Sequence, residues 1–167
     1  QVHARLISEN TQVQQGETFR LGLHLAPDEG WHTYWKSPGN VGKPVEIEWQ
    51  LPEGATASEF AFPAPFYFDL EGIVSIGYES ESLFYTEITL PSDFPLGISN
   101  FGADARWLVC EKSCIPGSAK LSLPLEVVAK TDEDSPLSPQ APLFSHYENS
   151  LPTDPTDVAA FTIETLV

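Results

Sequence analysis

The chain contains two cysteines, Cys110 and Cys114, with three residues between them. Alternating apolar and polar residues precede Cys110 and resume after Cys114, which is typical of two β-strands joined by a tight turn. A three-residue loop that closes an antiparallel pair would bring the cysteine Cα atoms to about 5.5 Å, within the range that a disulfide accepts. The sequence therefore favours a disulfide at the tip of a hairpin.

A disulfide across so short a loop has little value as a stabilising cross-link. It removes less unfolded-state entropy than a 15-residue loop, for which the stabilisation is about 3 kcal/mol. A reversible disulfide accounts for the placement better, with a thiolate attacking a disulfide through a mixed-disulfide intermediate. Lys112 would favour the thiolate and Glu111 would oppose it, so the local charge gives no decisive activation. From the spacing alone, a local structural clip in a secreted β-domain is an equal alternative.

The parity of the flanking residues predicts where the cysteines point. The apolar side chains of the first strand share one parity, and Cys110 has the other. Cys114 falls on the polar parity of the returning strand, provided that Pro116-Gly117 introduces no bulge. We therefore expect both thiols on the outer surface, away from the core. The apolar residues assigned to the core are Phe101, Ala103, Ala105, Trp107, Val109, Leu121, Leu123, Leu125 and Val127.

The rest of the chain shows the same strand periodicity. Short alternating runs are separated by turn residues, with no helical periodicity before residue 130. These runs are 2–6, 19–25, 31–35, 45–51 and 84–90. The pattern predicts an all-β fold, an antiparallel β-sandwich. One segment departs from it: Phe60–Asp69 combines prolines with five aromatic residues, so we expect a loop there.

The composition changes after residue 130, so we predict one domain over 1–130 and a separate segment over 131–167. Residues 131–142 are an acidic, proline-rich linker, and 143–151 are expected to form one short helix. Residues 161–167 are expected to be either a last strand or the start of another domain. The chain begins in a strand pattern without an export signal, so we expect a part of a larger exported protein.

The composition argues against several function classes. The formal net charge of -16, from 8 Lys and Arg against 24 Asp and Glu, argues against nucleic acid or an anionic membrane surface as a partner. No apolar run approaches the roughly 20 residues needed to span a bilayer. No hydrolase motif occurs, and neither a metal nor another cofactor is expected. The scattered histidines are interpreted as surface residues: His3, His24, His32 and His146.

Four segments taken together are more specific than the cysteine spacing. They are Gly30–Gly39, Ile47–Gly54, Gly77-Tyr78 and Trp107–Pro116. These segments resemble the N-terminal periplasmic domain of the DsbD family of thiol:disulfide interchange proteins, and in particular its ScsB-like branch. The resemblance runs from Val2 to Ala129.

The resemblance implies an immunoglobulin-like domain in the periplasm that belongs to an inner-membrane protein and acts without a cofactor. Its dithiol, Cys110 and Cys114, would relay reducing equivalents from a membrane-embedded domain of the same parent protein to periplasmic thioredoxin-fold proteins. Thioredoxin-like domains of the same parent are a second class of partner, and the isolated domain would be a monomer. The alternative from a different class is a non-enzymatic β-sandwich binding module whose disulfide is only structural.

The resemblance also implies an aromatic shield over the disulfide. Tyr34 takes the place of a family tyrosine beside the cysteines, and His32 stands where relatives carry a second tyrosine. The candidate cap loop, which a docking partner would displace, consists of Phe66, Tyr67 and Phe68. Besides His32, two features depart from the family pattern: Ala64-Pro65 replace acidic residues before the cap, and the cysteine spacing is shorter than in some members.

Overall fold

The computed structural model describes residues 1–70 and 72–150 of the chain. The described residues form eleven β-strands and one α-helix. The elements are β1 (Val2–Ser8), β2 (Gln12–Gln14), β3 (Thr18–Pro27), β4 (Thr33–Gly39), β5 (Glu46–Gln50), β6 (Thr56–Ala57), β7 (Phe66–Leu70), β8 (Ile73–Tyr78), β9 (Ser82–Thr89), β10 (Gly97–Cys110), β11 (Cys114–Val128) and α1 (Ala141–Glu148).

Two four-stranded sheets pack face to face as a sandwich. The first has the order β1-β3-β9-β6 and the second β2-β11-β10-β5, with antiparallel neighbours except for the parallel pair β2 and β11. Apolar side chains from both inner faces fill the space between the sheets. Among them, the rings of Phe19 and Phe101 pack edge to face, with their centroids 5.5 Å apart. Burial of this apolar surface drives the two sheets together. The structure confirms the predicted all-β, immunoglobulin-like sandwich.

Strands β10 and β11 form the long hairpin that carries the cysteines. Their antiparallel pairing runs without a register shift along both strands, as far as Cys110 opposite Cys114. A Cβ atom at Gly117 would lie 2.2 Å from Trp107 Nε1, so the indole packs on bare glycine backbone. Pro116-Gly117 therefore introduces no bulge, and the predicted register is confirmed.

A third sheet, of order β4-β8-β7, lies against the tip of this hairpin. Just before β4, His32 pairs with Cys110 as an isolated antiparallel bridge, which joins the third sheet to the end of β10. Gly77 of β8 lies so close to β4 that an added Cβ would be 2.0 Å from the Thr33 carbonyl oxygen. Only glycine permits this approach, so the third sheet depends on a residue without a side chain at this position.

The loop predicted over Phe60–Asp69 is wrong in its second half. Phe66–Leu70 form β7, which pairs antiparallel with β8. As the edge strand of the sheet, β7 has one neighbour, so the prolines that precede it do not interrupt its pairing. The first half of the segment lies outside the named strands, and Phe60 and Phe62 pack on Phe84 of the core.

The segment after β11 makes specific contacts with the sandwich. The Gln14 side chain donates to the Glu133 carbonyl at 2.7 Å and accepts from the Thr131 N–H at 2.8 Å. Further along, Phe144 of α1 is fully buried against Leu83 on the outer face of the first sheet. Residues 131–150 therefore cover part of the sandwich.

Helix α1 spans Ala141–Glu148, where the sequence predicts a helix over 143–151. The boundary at residue 130 stays a prediction, because contacts with the sandwich do not decide whether residues 1–130 fold alone. The terminal strand or next domain predicted at 161–167 lies outside the described residues. Within 1–70 and 72–150, no helix is long and apolar enough to cross a membrane.

Candidate functional site

The two cysteines are joined by a disulfide, with an S–S distance of 2.02 Å and a Cα–Cα distance of 4.1 Å. This Cα–Cα distance is shorter than the predicted value because the backbone N–H and C=O of Cys110 turn away from Cys114. They bond instead to His32, with His32 N–H to Cys110 O at 2.9 Å and Cys110 N–H to His32 O at 3.0 Å. The cysteines are therefore a non-hydrogen-bonded pair, the closer of the two kinds in antiparallel sheets.

The cysteines differ in exposure. Cys114 is exposed, whereas only 3% of Cys110 is accessible to solvent. The prediction that both thiols lie on the outer surface is therefore wrong for Cys110. Its parity is opposite to that of the core residue Val109, as predicted, but the segment at His32 and the third sheet cover the face on which it lies.

His32 and Tyr34 form a buried pair beside the disulfide. His32 is 5% exposed and Tyr34 is fully buried, and His32 Nε2 lies 3.1 Å from the Tyr34 hydroxyl. Burial lowers the pKa of His32 below its usual range, with a smaller opposing effect from Glu79, and burial raises the pKa of Tyr34. Both residues therefore favour their neutral forms at neutral pH. Their parity is opposite to that of Trp31 and Trp35, which pack on the core.

The surface interpretation of the histidines is wrong for two of the four. His32 is buried by the third sheet, and His24 is buried on β3 between an Arg5 N–H at 3.3 Å and a Glu81 carboxylate oxygen at 2.9 Å. Strand parity places the His24 side chain on the outer face of its sheet. Parity does not show whether other segments of the chain cover that face. In the described part of the chain, no group of three or more metal-ligating side chains is found.

The three predicted cap residues occupy different environments. Phe68 is half-buried, and its ring meets the His32 ring at a centroid distance of 4.8 Å. Phe66 and Tyr67 are 63% and 67% exposed. Of the three, Phe68 is the one that packs on His32, the neighbour of Cys110. Phe66 lies on the same face of β7 as Phe68, whereas Tyr67 points to the opposite face.

An open depression of about 450 Å³ surrounds the disulfide. The side chains that line it come from the hairpin tip, the third sheet and the loop after β4; they include His32, Tyr34, Val41, Ile73, Cys110 and Cys114. Sequence reasoning missed Val41 and Ile73, two exposed apolar residues. The sequence carries no clear signal for them, because single exposed apolar residues are normal on protein surfaces.

Residues 3–126 match the family described as thiol:disulfide interchange protein DsbD, N-terminal. The chain belongs to this family. The match includes the cysteine hairpin, the His32 segment and the third sheet, so the site lies within the DsbD N-terminal region.

One solved structure shows the same fold, that of ScsB. The N-terminal periplasmic domain of ScsB from Proteus mirabilis matches with 22% identity and a TM-score of 0.62, over 90% of this chain and 54% of that chain. This chain therefore spans about half the length of that ScsB structure. The DsbD N-terminal domain of Neisseria meningitidis, in the reduced form, matches with 8% identity and a TM-score of 0.41, over 74% of this chain and 85% of that chain. Among curated proteins, none matches.

Proposed function

We propose that this domain is a thiol:disulfide interchange module of the periplasm, with Cys110 and Cys114 as its redox pair. It relays reducing equivalents from a membrane-embedded domain of its parent protein to periplasmic thioredoxin-fold proteins. The observation that supports this role best is the unequal exposure of the two cysteines at the tip of a hairpin. A relay needs one sulfur that a partner can reach and a second that resolves the mixed disulfide.

We assign the attacking role to Cys114, because it is the exposed cysteine. In the reduced domain, the Cys114 thiolate attacks the disulfide of the partner, forms a mixed disulfide and releases one partner thiolate. Cys110 then attacks the Cys114 sulfur, which forms the Cys110–Cys114 disulfide and releases the second partner thiolate. Two electrons pass to the partner, and no cofactor is required.

The docking surface in this proposal is the third sheet together with the hairpin tip. Exposed Phe66 and Tyr67 lie on β7 of the sheet whose other residues line the depression around the disulfide. Aromatic side chains are favoured at protein interfaces, and redox encounters use small interfaces, below about 1,200 Å². We therefore expect transient docking of a thioredoxin-fold protein on Phe66, Tyr67 and Phe68, with displacement of Phe68 from His32.

A trapping experiment tests the proposal. The Cys110→Ser variant keeps the exposed attacking thiol and lacks the resolving one, so it is expected to accumulate a mixed disulfide with an oxidised periplasmic thioredoxin-fold protein. Cys114→Ser is the matched control, because its remaining thiol is buried, and it is expected to cross-link much more slowly. If neither variant forms a mixed disulfide under these conditions, the relay function is refuted.

A redox titration separates the relay from a structural clip. Structural disulfides of secreted proteins have reduction potentials below roughly -300 mV, whereas a disulfide that exchanges with thioredoxin-like proteins has a higher potential. We expect the Cys110–Cys114 couple to equilibrate with thioredoxin. A potential well below this limit, together with resistance to reduced thioredoxin, would leave the non-enzymatic binding module as the better description.

A further inference from the structure

A titratable side chain lies in the same row of the sheet as the two sulfur atoms. Cys110 is opposite Cys114 on one side and opposite His32 on the other, and both backbone hydrogen bonds to His32 are formed. Residues directly opposite one another in antiparallel strands point to the same face, with Cβ atoms about 4.5–5.5 Å apart. The three side chains His32, Cys110 and Cys114 therefore project in order onto one face, with the buried sulfur in the middle.

Packing holds the His32 ring in this row. Phe68 covers it from β7, and the Tyr34 hydroxyl lies 3.1 Å from Nε2. The tautomer that donates Nε2–H to the Tyr34 oxygen leaves a lone pair on Nδ1, and this nitrogen is then able to take up a proton. A ring held only for its bulk does not need a titratable nitrogen, and other aromatic side chains supply equal bulk.

We propose that His32 is the proton acceptor and donor for Cys110, an inference that rests on the proposed thiol:disulfide interchange. When the domain reduces a partner, the Cys110 thiol transfers its proton to His32 as its sulfur attacks the Cys114 sulfur. The bond between Cys114 and the partner sulfur breaks, and the electron pair leaves on the partner sulfur. In the reverse direction, a thiolate attacks Cys114, the Cys110–Cys114 bond breaks, and protonated His32 returns a proton to the departing Cys110 sulfur.

The burial of Cys110 makes such a partner useful. A thiolate in a poorly hydrated site is disfavoured, so a leaving sulfur that is protonated as it departs avoids this cost. Three charged residues lie near this row. Glu79 favours the protonated form of His32. Glu111 and Lys112 of the hairpin turn are exposed and carry opposite charges. Tyr34 stays neutral at neutral pH because burial raises its pKa. His32, whose pKa is lowered by burial, is thus the titratable side chain in the row with Cys110.

The test uses a small thiol, so that it does not depend on any protein partner. The oxidised domain is mixed with dithiothreitol between pH 5 and 9, quenched with acid, alkylated and analysed by mass spectrometry. The rate constant is divided by the thiolate fraction of the reagent at each pH. For the parent we expect this corrected rate constant to fall about tenfold as His32 loses its proton. This is less than the roughly 10²-fold lower limit of general acid catalysis, because a thiolate is already a good leaving group. Circular dichroism spectra verify that each variant is folded.

Three variants decide the interpretation. In His32→Gln, the corrected rate constant is expected not to change with pH. The same is expected of His32→Tyr, which keeps an aromatic ring. His146→Gln changes an exposed histidine of α1 and is expected to keep the profile of the parent. If the parent and both His32 variants share one profile, or if His32→Tyr retains the fall with pH, the proton-transfer role is wrong while the relay function stands. If dithiothreitol reduces none of these proteins at any pH, both proposals fall together.

Discussion

Reduction of the disulfide is the perturbation that separates a reactive bond from a structural one. A relay domain must remain folded in both redox states, whereas a domain that depends on its disulfide loses stability when the bond is reduced. We predict that the reduced domain keeps its fold, with a free energy of unfolding lower than that of the oxidised domain by no more than about 2 kcal/mol.

The magnitude follows from the length of the closed loop. Cys110 and Cys114 have a sequence separation of 4. For a loop of this size, the chain-entropy estimate of the stabilisation is about 2 kcal/mol at 25 °C, and it is an upper value because residual structure in the unfolded chain leaves less entropy for the disulfide to remove. The pairing of β10 with β11 continues in register along both strands and does not need the bond at its tip.

Urea unfolding of the oxidised and the fully reduced domain, followed by tryptophan fluorescence, measures the difference. With a denaturant dependence of about 2 kcal/mol/M, a change of 2 kcal/mol corresponds to a midpoint shift of about 1 M. A shift of more than about 2 M, or unfolding on reduction alone, would contradict the argument. It would mean that the disulfide constrains far more than its own loop, as a structural bond does.

Three further predictions follow from the packing and from the buried histidines. Phe68→Ala is expected to raise the rate of disulfide reduction by a small thiol several-fold, because the Phe68 ring covers His32. It should lower the free energy of unfolding by only about 1 kcal/mol, because the ring is half-buried. Phe66→Ala should have a smaller effect on the rate, since Phe66 is 63% exposed. The free energy of unfolding should fall as the pH drops from 7 to 5, because burial lowers the pKa of His24 and His32 and the unfolded chain then binds more protons than the folded one. In His24→Gln, the free energy of unfolding should depend less steeply on pH. An unchanged dependence would mean that His24 does not contribute to it. Phe144→Ala should lower the free energy of unfolding by about 3–5 kcal/mol, because Phe144 is fully buried. A loss below about 1 kcal/mol would mean that the packing of α1 contributes little to the stability of the domain.

The features that the sequence predicted correctly are those encoded by neighbouring residues. Two-residue periodicity identifies β10 and β11, and parity separates Trp107 and Val109, on the core side, from Cys110. Pro116-Gly117 introduces no bulge, as the predicted register requires, and Gly117 leaves room for the indole of Trp107. The alternation is local to each strand, so it was sufficient to predict the all-β fold and the position of the disulfide at the hairpin tip.

The features that the sequence did not predict involve residues that are distant along the chain. The bridge between His32 and Cys110 and the pairing of β7 with β8 arise from tertiary packing. Parity assigns a side chain to one face of a sheet, but it does not tell whether a third layer covers that face. For this reason Cys110, His32 and His24 were all placed at the surface, and all three are buried.

The organisation of the third sheet gives a physical route by which protection and reactivity coexist. Among its described residues, the third sheet contributes Tyr78 to the clusters of buried apolar residues and packs the partly buried Trp35 against one of them. Its β4–β8 pairing contains a register shift between Tyr34 and Gly39. The ring of Tyr78 packs on Phe84, and its hydroxyl donates to the Pro63 carbonyl at 2.8 Å. A unit with few buried apolar contacts opens at a lower free energy than the whole domain. We therefore expect opening of the sheet around Phe68 to uncover the buried Cys110 while the sandwich and the β10–β11 hairpin remain intact. The stability of the domain and the access to the Cys110 sulfur would then depend on different contacts.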